Sequence, residues 1–269
     1  MIISATQLRS LLADARQAAE TIRVVDARSP RRYASGHIEG AVNLPLSSIV
    51  VLEGTAQSLA GPEDFARVAG AAGIDRSTPV VVYGERAGVD ASYVYWALEY
   101  YGHPDVSFLD GGIEAWTANG YPTSTELAEP APRAFEPAPV ERLRAGADEI
   151  AARLGDSKLQ LVDTRDTQEF TGELALARRG GHIPGAIRYD WRRNVQPDTT
   201  FKPLEEIEAL LEEAGIERDK EQIIYCMSGP RATHLYIAMR ALGYGFPRIY
   251  ERSWSEWGNR DDLPVAQGA

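Results

Sequence analysis

The sequence holds one cysteine, four histidines and no long apolar run in 269 residues. One cysteine cannot close a disulfide within the chain, so a disulfide-stapled fold is excluded. The histidines do not cluster with it, and no zinc-binding spacing occurs. No stretch approaches the ~18 uninterrupted apolar residues of a membrane span, so no membrane partner is expected. Basic charge is also scarce: 28 Lys and Arg against 39 Asp and Glu give a net charge of -11. That balance argues against a general nucleic-acid binder, which needs a basic face. It still allows a small anionic substrate held in a local cationic pocket. Met1-Ile2-Ile3-Ser4 lacks a basic region followed by an apolar core. A secretory signal is therefore not expected, and a cytoplasmic location is the default.

What is present is ordinary for a soluble protein: 44% hydrophobic and 25% charged residues. The length suits one large or two medium domains. Ser4-Ala5-Thr6-Gln7 fits a capping box, and Leu8, Leu11, Leu12 and Ala15 continue it at helical spacing. Ile22-Arg23-Val24-Val25 predicts a short strand ending at Asp26-Ala27-Arg28. Pro62 opens a helix that Gly73 closes, and Pro79-Val80-Val81-Val82-Tyr83 predicts a buried strand. The loop Gly84 to Gly88 leads into a helix from Ala91 to Tyr101. Val106 to Leu109 predicts another strand, and Asp110-Gly111-Gly112 turns into a helix carrying Trp116. Strands alternating with helices predict an α/β unit with a mainly parallel sheet. Residues 126–139 contain Pro130, Pro132, Pro137 and Pro139, which predicts a stiff connector between residues 1–125 and 140–269.

The pattern then repeats. Leu161-Val162-Asp163-Thr164-Arg165 matches Val24 to Arg28 at an offset of 137 (163 against 26), and Gly181-His182-Ile183-Pro184-Gly185-Ala186 matches Gly36 to Ala41 at 145 (181 against 36). The second copy thus carries about eight extra residues near Glu173 to Gly180, from the difference of the two offsets. Residues shared by both copies are read as scaffold: Asp26 with Arg28, Asp163 with Arg165, and the turns holding His37 and His182. Trp254 and Trp257 are read as core.

One position differs in kind. Gly84 of the first copy is opposite Cys226 of the second. Ile223-Ile224-Tyr225-Cys226 ends a predicted strand, Met227-Ser228-Gly229-Pro230-Arg231 makes a short loop, and Ala232 to Arg240 reads as a helix. A thiol at a strand end before a helix N-terminus is placed for nucleophilic chemistry. Backbone N–H groups, the helix dipole and the Arg231 cation all favour thiolate there. The plainer alternative, a lone cysteine serving as a small buried hydrophobe, is weakened by this context.

Taken together, Asp-x-Arg, Gly-His-Ile-x-Gly-Ala, the cysteine loop, Asp110-Gly111-Gly112 with Trp116, and Ser253-Trp254-Ser255-Glu256-Trp257 with Leu263-Pro264-Val265 resemble the tandem-domain rhodanese sulfurtransferases over nearly the whole chain. The resemblance implies two three-layer α/β/α domains in tandem, the first inactive and the second catalytic. It implies a persulfide on Cys226, with Arg231 as the second catalytic residue. Met227, Ser228, Gly229, Pro230 and Ala232 of the loop, and Arg178, Arg179 and Arg188 near the second Gly-His-Ile turn, are the expected donor-binding residues. No metal or organic cofactor is expected. The expected partners are a small anionic sulfur donor and a thiol or cyanide acceptor, with a protein acceptor also open.

Thiosulfate is the favoured donor, on the charge of Arg231; Ser228-Gly229 resembles the loop of 3-mercaptopyruvate enzymes, which is the alternative. No histidine lies between Ala41 and Pro62 to support a relay of the kind associated with mercaptopyruvate enzymes. A phosphatase reading is disfavoured because Cys-x4-Arg is one residue shorter than the phosphatase Cys-x5-Arg loop. A non-catalytic binding module is the alternative from another class. One departure stands out: Glu251-Arg252-Ser253 replaces the Asp-Gly-Ser that many tandem members have, which predicts altered backbone geometry or a new cation near the loop.

Overall fold

A computed structural model describes residues 1–18, 21–245 and 247–268. The chain divides into two compact units. The first comprises Met1–Val50, Leu59–Val140 and Gln196–Phe201; the second comprises Val51–Ser58, Glu141–Val195 and Lys202–Ala269. Each unit therefore includes one short segment from the other half of the sequence.

The first unit is built on a five-stranded sheet in the order Ile2–Ile3, Val106–Leu109, Val80–Tyr83, Arg23–Asp26, Val42–Asn43, with parallel pairings throughout. Every residue of Val80–Tyr83 is buried. A continuous apolar strand of this kind is what a parallel sheet covered on both faces requires. The helix Ala5–Ala18 begins at the predicted capping box: Gln7 N–H donates to Ser4 Oγ (3.2 Å) and Ser4 N–H donates to Gln7 Oε1 (2.7 Å). The helix Pro62–Ala71 places its proline in the first turn, where the missing N–H costs nothing. The helix Val89–Tyr100 is buried nearly all round, as a central helix in this architecture must be.

The second unit repeats the plan with strands Ile187–Arg188, Leu159–Asp163, Glu221–Tyr225 and Arg248–Ile249, again all parallel. Its buried helix is Pro230–Ala241. The mainly parallel α/β plan predicted for both halves is the plan observed.

The shared motifs are scaffold in both units. Arg28 grips Asp26 through Nε and Nη2, and donates to Gly36 O (2.8 Å) at the start of the Gly-His-Ile turn. Arg165 repeats this with Asp163 and Gly181 O (2.7 Å). His37 lies flat on Tyr33 and bonds Tyr33 O through Nδ1; His182 lies flat on Phe170 and bonds Phe170 O. Both imidazoles are thus used to hold their turns. Tyr225 burial drives its phenol well above the usual range, so it stays neutral; its oxygen accepts the Ile183 N–H beside Asp163.

The proline-rich segment 126–139 runs without helix or strand and hydrogen-bonds to the first unit. Arg133 N–H donates to Gly70 O (3.0 Å), Ala138 N–H to Tyr101 O (3.0 Å), and Phe135 is buried against Phe65. Its prolines predict a connector between the two domains; its backbone bonds and buried ring make it part of the first unit.

Candidate active site

Cys226 follows directly on the strand Glu221–Tyr225, at the carboxyl end of the second sheet. Open α/β sheets bind ligands at that end. Gly229 caps the helix Pro230–Ala241, and its N–H donates to Cys226 Sγ at 3.1 Å. The thiol is 1% exposed, while Met227, Ser228 and Arg231 are half-buried. Gly229 has φ 104 and ψ −47, a conformation open in practice to glycine alone.

The Cys226 backbone is fixed from the turn at residues 250–255. Cys226 N–H donates to Ser253 Oγ (3.0 Å), which in turn donates to Tyr250 O (2.8 Å). Trp254 N–H donates to Cys226 O (3.0 Å) and Ser255 N–H to Met227 O (2.9 Å). Ser253 has φ +53, in the left-handed region. The first unit keeps the equivalent backbone bond, Ile113 N–H to Gly84 O at 3.0 Å, but enters the turn through two left-handed glycines, Gly111 (φ 66) and Gly112 (φ 54). A Cβ on Gly112 would meet Gly84 O at 2.3 Å. In the second unit Arg252 is right-handed (φ −70, ψ −24), and a side chain is accommodated at 253. The predicted change of backbone at this departure is therefore real. The new cation is real too: Arg252 pairs with Glu53 (2.9 Å) and Glu256 (3.4 Å).

Arg231 does not stand alone beside the thiol. Its guanidinium makes a two-pronged pair with Glu169: Nη1 to Oε2 at 2.5 Å and Nη2 to Oε1 at 2.8 Å. Glu169 is 3% exposed. Burial alone would lower the Arg231 guanidinium, but the hydrogen-bonded Glu169 carboxylate holds it well above the usual range. Glu169 was missed from the sequence. The signal was there: six residues after the shared aspartate, the first copy has Arg32 and the second has Glu169, a reversal of charge between otherwise matching segments. Arg32 pairs with Glu85 in the first unit (3.4 Å).

The remaining expected residues fall out differently. Pro230 has no N–H to offer a donor, and Ala232 is fully buried. Arg178 is exposed and paired with Asp261 (3.0 Å). Arg179 donates to the backbone carbonyls of Leu263 (2.7 Å), Trp257 (2.8 Å) and Arg260. The arginines expected near the donor thus brace the extra segment 173–180 against the C-terminal loop; the sequence showed two cations but not the carbonyls that would claim one of them. Arg188 is exposed in register with Asp163, two strands from Tyr225 at the same sheet end, about 10 Å away by the usual strand spacing. A cavity of about 580 Å³ in this unit is lined by Arg144, Arg248, Glu251 and Arg252 among others, and Cys226 does not line it. Its arginines are matched by carboxylates, Arg144 by Glu251 and Arg248 by Glu149. Among the described residues, no group of His, Cys, Asp and Glu could hold a metal ion, and no helix is long and apolar enough to cross a membrane.

The sequence profile of the Rhodanese-like domain matches this chain twice, over residues 4–119 and 146–260. The chain belongs to the rhodanese family. Its two tandem rhodanese domains correspond to the two copies read from the sequence. This rhodanese is 36% identical over 249 residues to the sulfur carrier protein TtuD of Thermus thermophilus, covering 88% of this chain and 87% of that protein. It is 35% identical over 252 residues to a thiosulfate sulfurtransferase of Azotobacter vinelandii, covering 93% of each. Among solved structures it is similar to an anaerobic ergothioneine biosynthesis enzyme from Chlorobium limicola, at 25% identity with a TM-score of 0.89, over 100% of this chain and 70% of that one. Sulfur transfer is the activity class that the names of these curated relatives support.

Proposed function

We propose that this rhodanese is a thiosulfate sulfurtransferase that carries sulfur as a persulfide on Cys226. The observation that carries the reading is the Gly229 N–H, 3.1 Å from Cys226 Sγ, at the mouth of a buried helix. A donor aimed at the nucleophile, with no reorganisation needed, stabilises negative charge on sulfur before and after transfer. In the first half-reaction the Cys226 thiolate attacks the outer sulfur of thiosulfate. The S–S bond of the donor breaks, and sulfite leaves with its electron pair. In the second, an acceptor thiolate or cyanide attacks the outer sulfur of the persulfide and returns Cys226 as thiolate. Cys226 is the nucleophile of the first half-reaction and the leaving group of the second, and the persulfide between them makes the kinetics ping-pong.

Arg231 supplies the positive field, and its pair with Glu169 fixes where that field points. Arg188, exposed at the same sheet end, is placed to meet an anionic donor on approach. Thiosulfate is preferred to 3-mercaptopyruvate because Arg231 lies beside the thiol and because relatives of this chain carry the name thiosulfate sulfurtransferase. The sulfur-carrier name of another relative favours a protein thiol as one acceptor.

The test is intact-protein mass spectrometry after brief incubation with thiosulfate, and separately with 3-mercaptopyruvate. The expected result is a gain of one sulfur atom, faster with thiosulfate, removed by a thiol and missing in Cys226→Ser. Faster loading by 3-mercaptopyruvate would reassign the donor. A gain that persists in Cys226→Ser would overturn the mechanism.

A further inference from the structure

We propose that Gln57, contributed by the first half of the sequence, is a positioning residue that sets the sulfur-binding geometry of the Cys226 loop. Gln57 lies on the strand Ala56–Leu59, in the segment Val51–Ser58 that belongs to the second compact unit. Its Nε2–H donates to Ser228 O at 3.1 Å, across 171 residues of sequence. That carbonyl and the Gly229 N–H are the two ends of one peptide unit. A trans peptide is planar, and its C=O and N–H point in opposite directions. Gln57 holds the outer end while the inner end donates to Cys226 Sγ at 3.1 Å.

This peptide needs an external restraint. It is joined to Gly229, whose missing Cβ lets the plane turn with little steric penalty. The flipped plane would aim a carbonyl oxygen at the sulfur and repel a thiolate or persulfide. No side chain caps the helix that begins here, and Pro230 has no N–H to take over from Gly229. The segment leading into the strand of Gln57 is itself moored nearby: Thr55 Oγ1 donates to Ser255 O (3.1 Å) and Glu53 pairs with Arg252 (2.9 Å). Gln57 is the member of this group that touches the peptide facing the sulfur.

The inference rests on Cys226 being the sulfur-carrying group, and the test separates the two. Gln57→Met keeps the side-chain length without the donor; Gln57→Ala is the second variant; Thr55→Val removes a neighbouring bond to a carbonyl that does not adjoin the sulfur. The rate of Cys226 alkylation by iodoacetamide is measured from pH 6 to 9, together with sulfur loading from thiosulfate by mass spectrometry. Without Gln57 the Gly229 N–H is no longer held on the sulfur, and weakening that hydrogen bond to a charged group should slow both reactions roughly three- to tenfold near neutral pH and move the alkylation profile to higher pH. Thr55→Val should leave the profile in place. An unmoved profile in Gln57→Met and Gln57→Ala overturns the proposal. So does an equal move in Thr55→Val, which would make docking of the whole strand responsible. Alkylation needs no sulfur donor, so wild-type protein that alkylates normally but never gains sulfur refutes the proposed function rather than the role of Gln57.

Discussion

Ser253 sets two opposing energies against each other, and two substitutions separate them. The residue sits at φ +53, where a side chain costs about 1–2 kcal/mol relative to right-handed backbone. Its Oγ accepts the N–H of Cys226, which is 1% exposed. Leaving that buried donor unsatisfied costs about 1–3 kcal/mol. Ser253→Ala keeps the strain and loses the acceptor, so it should destabilise by about 1–3 kcal/mol. Ser253→Gly loses the acceptor but releases the strain, less about 0.4–1 kcal/mol for the freer unfolded chain. The order of stability should therefore be Ser, then Gly, then Ala, with Gly above Ala by a few tenths to about 1.5 kcal/mol, the difference of those two terms. Urea unfolding measures this, given equal m-values across the three proteins. A glycine variant less stable than the alanine variant would refute the strain argument. Both variants should also lose sulfur loading, because the Cys226 backbone is no longer fixed.

Further outcomes follow from the charges. Glu169→Gln removes the partner of a guanidinium whose side chain is 24% exposed, and should cost about 2 kcal/mol, below the figure for fully buried pairs. The same change leaves Arg231 uncompensated beside the thiol, so loading by dianionic thiosulfate should rise several-fold at low ionic strength, an advantage that added salt removes. Loading rates in about 20 and about 300 mM salt, between which the Debye length falls from roughly 20 to roughly 6 Å, check it. Asp110 accepts the Phe201 N–H (2.8 Å), but burial pushes its carboxyl up to about 6. Because the folded value is raised, the protonated form is the one the fold favours: Asp110 costs least below about pH 4, and its cost grows from there to about pH 6, above which it is constant. Asp110→Asn should therefore gain on wild type between about pH 4 and 6 and hold that gain above it. The limit is about 3 kcal/mol from the size of the shift, and about half that after solvent screening. Denaturation midpoints at pH 4.5 and 7.5 test the sign; a gap that narrows with rising pH would contradict it.

The sequence alone determined the features that are local or repeated. The capping box at Ser4 closes over three residues, and Asp163 with Arg165 closes over two. Such pairs are neighbours in any compact conformation, so spacing is enough to read them. The duplication then separated shared scaffold from the one position that differs in kind, because the second copy has the thiol of Cys226 where the first has Gly84. The tertiary structure decided whatever depended on distant partners. Glu169 meets Arg231 across 62 residues, Gln57 meets Ser228 across 171, and Arg179 is taken by carbonyls more than 75 residues away. Side-chain type shows that an arginine carries charge and donors, but not which acceptors the fold will bring to it. The left-handed Ser253 lies beyond sequence reading for the same reason: serine does not choose that conformation, and the Cys226 N–H that its hydroxyl accepts, 27 residues away, is supplied only once the sheet has formed.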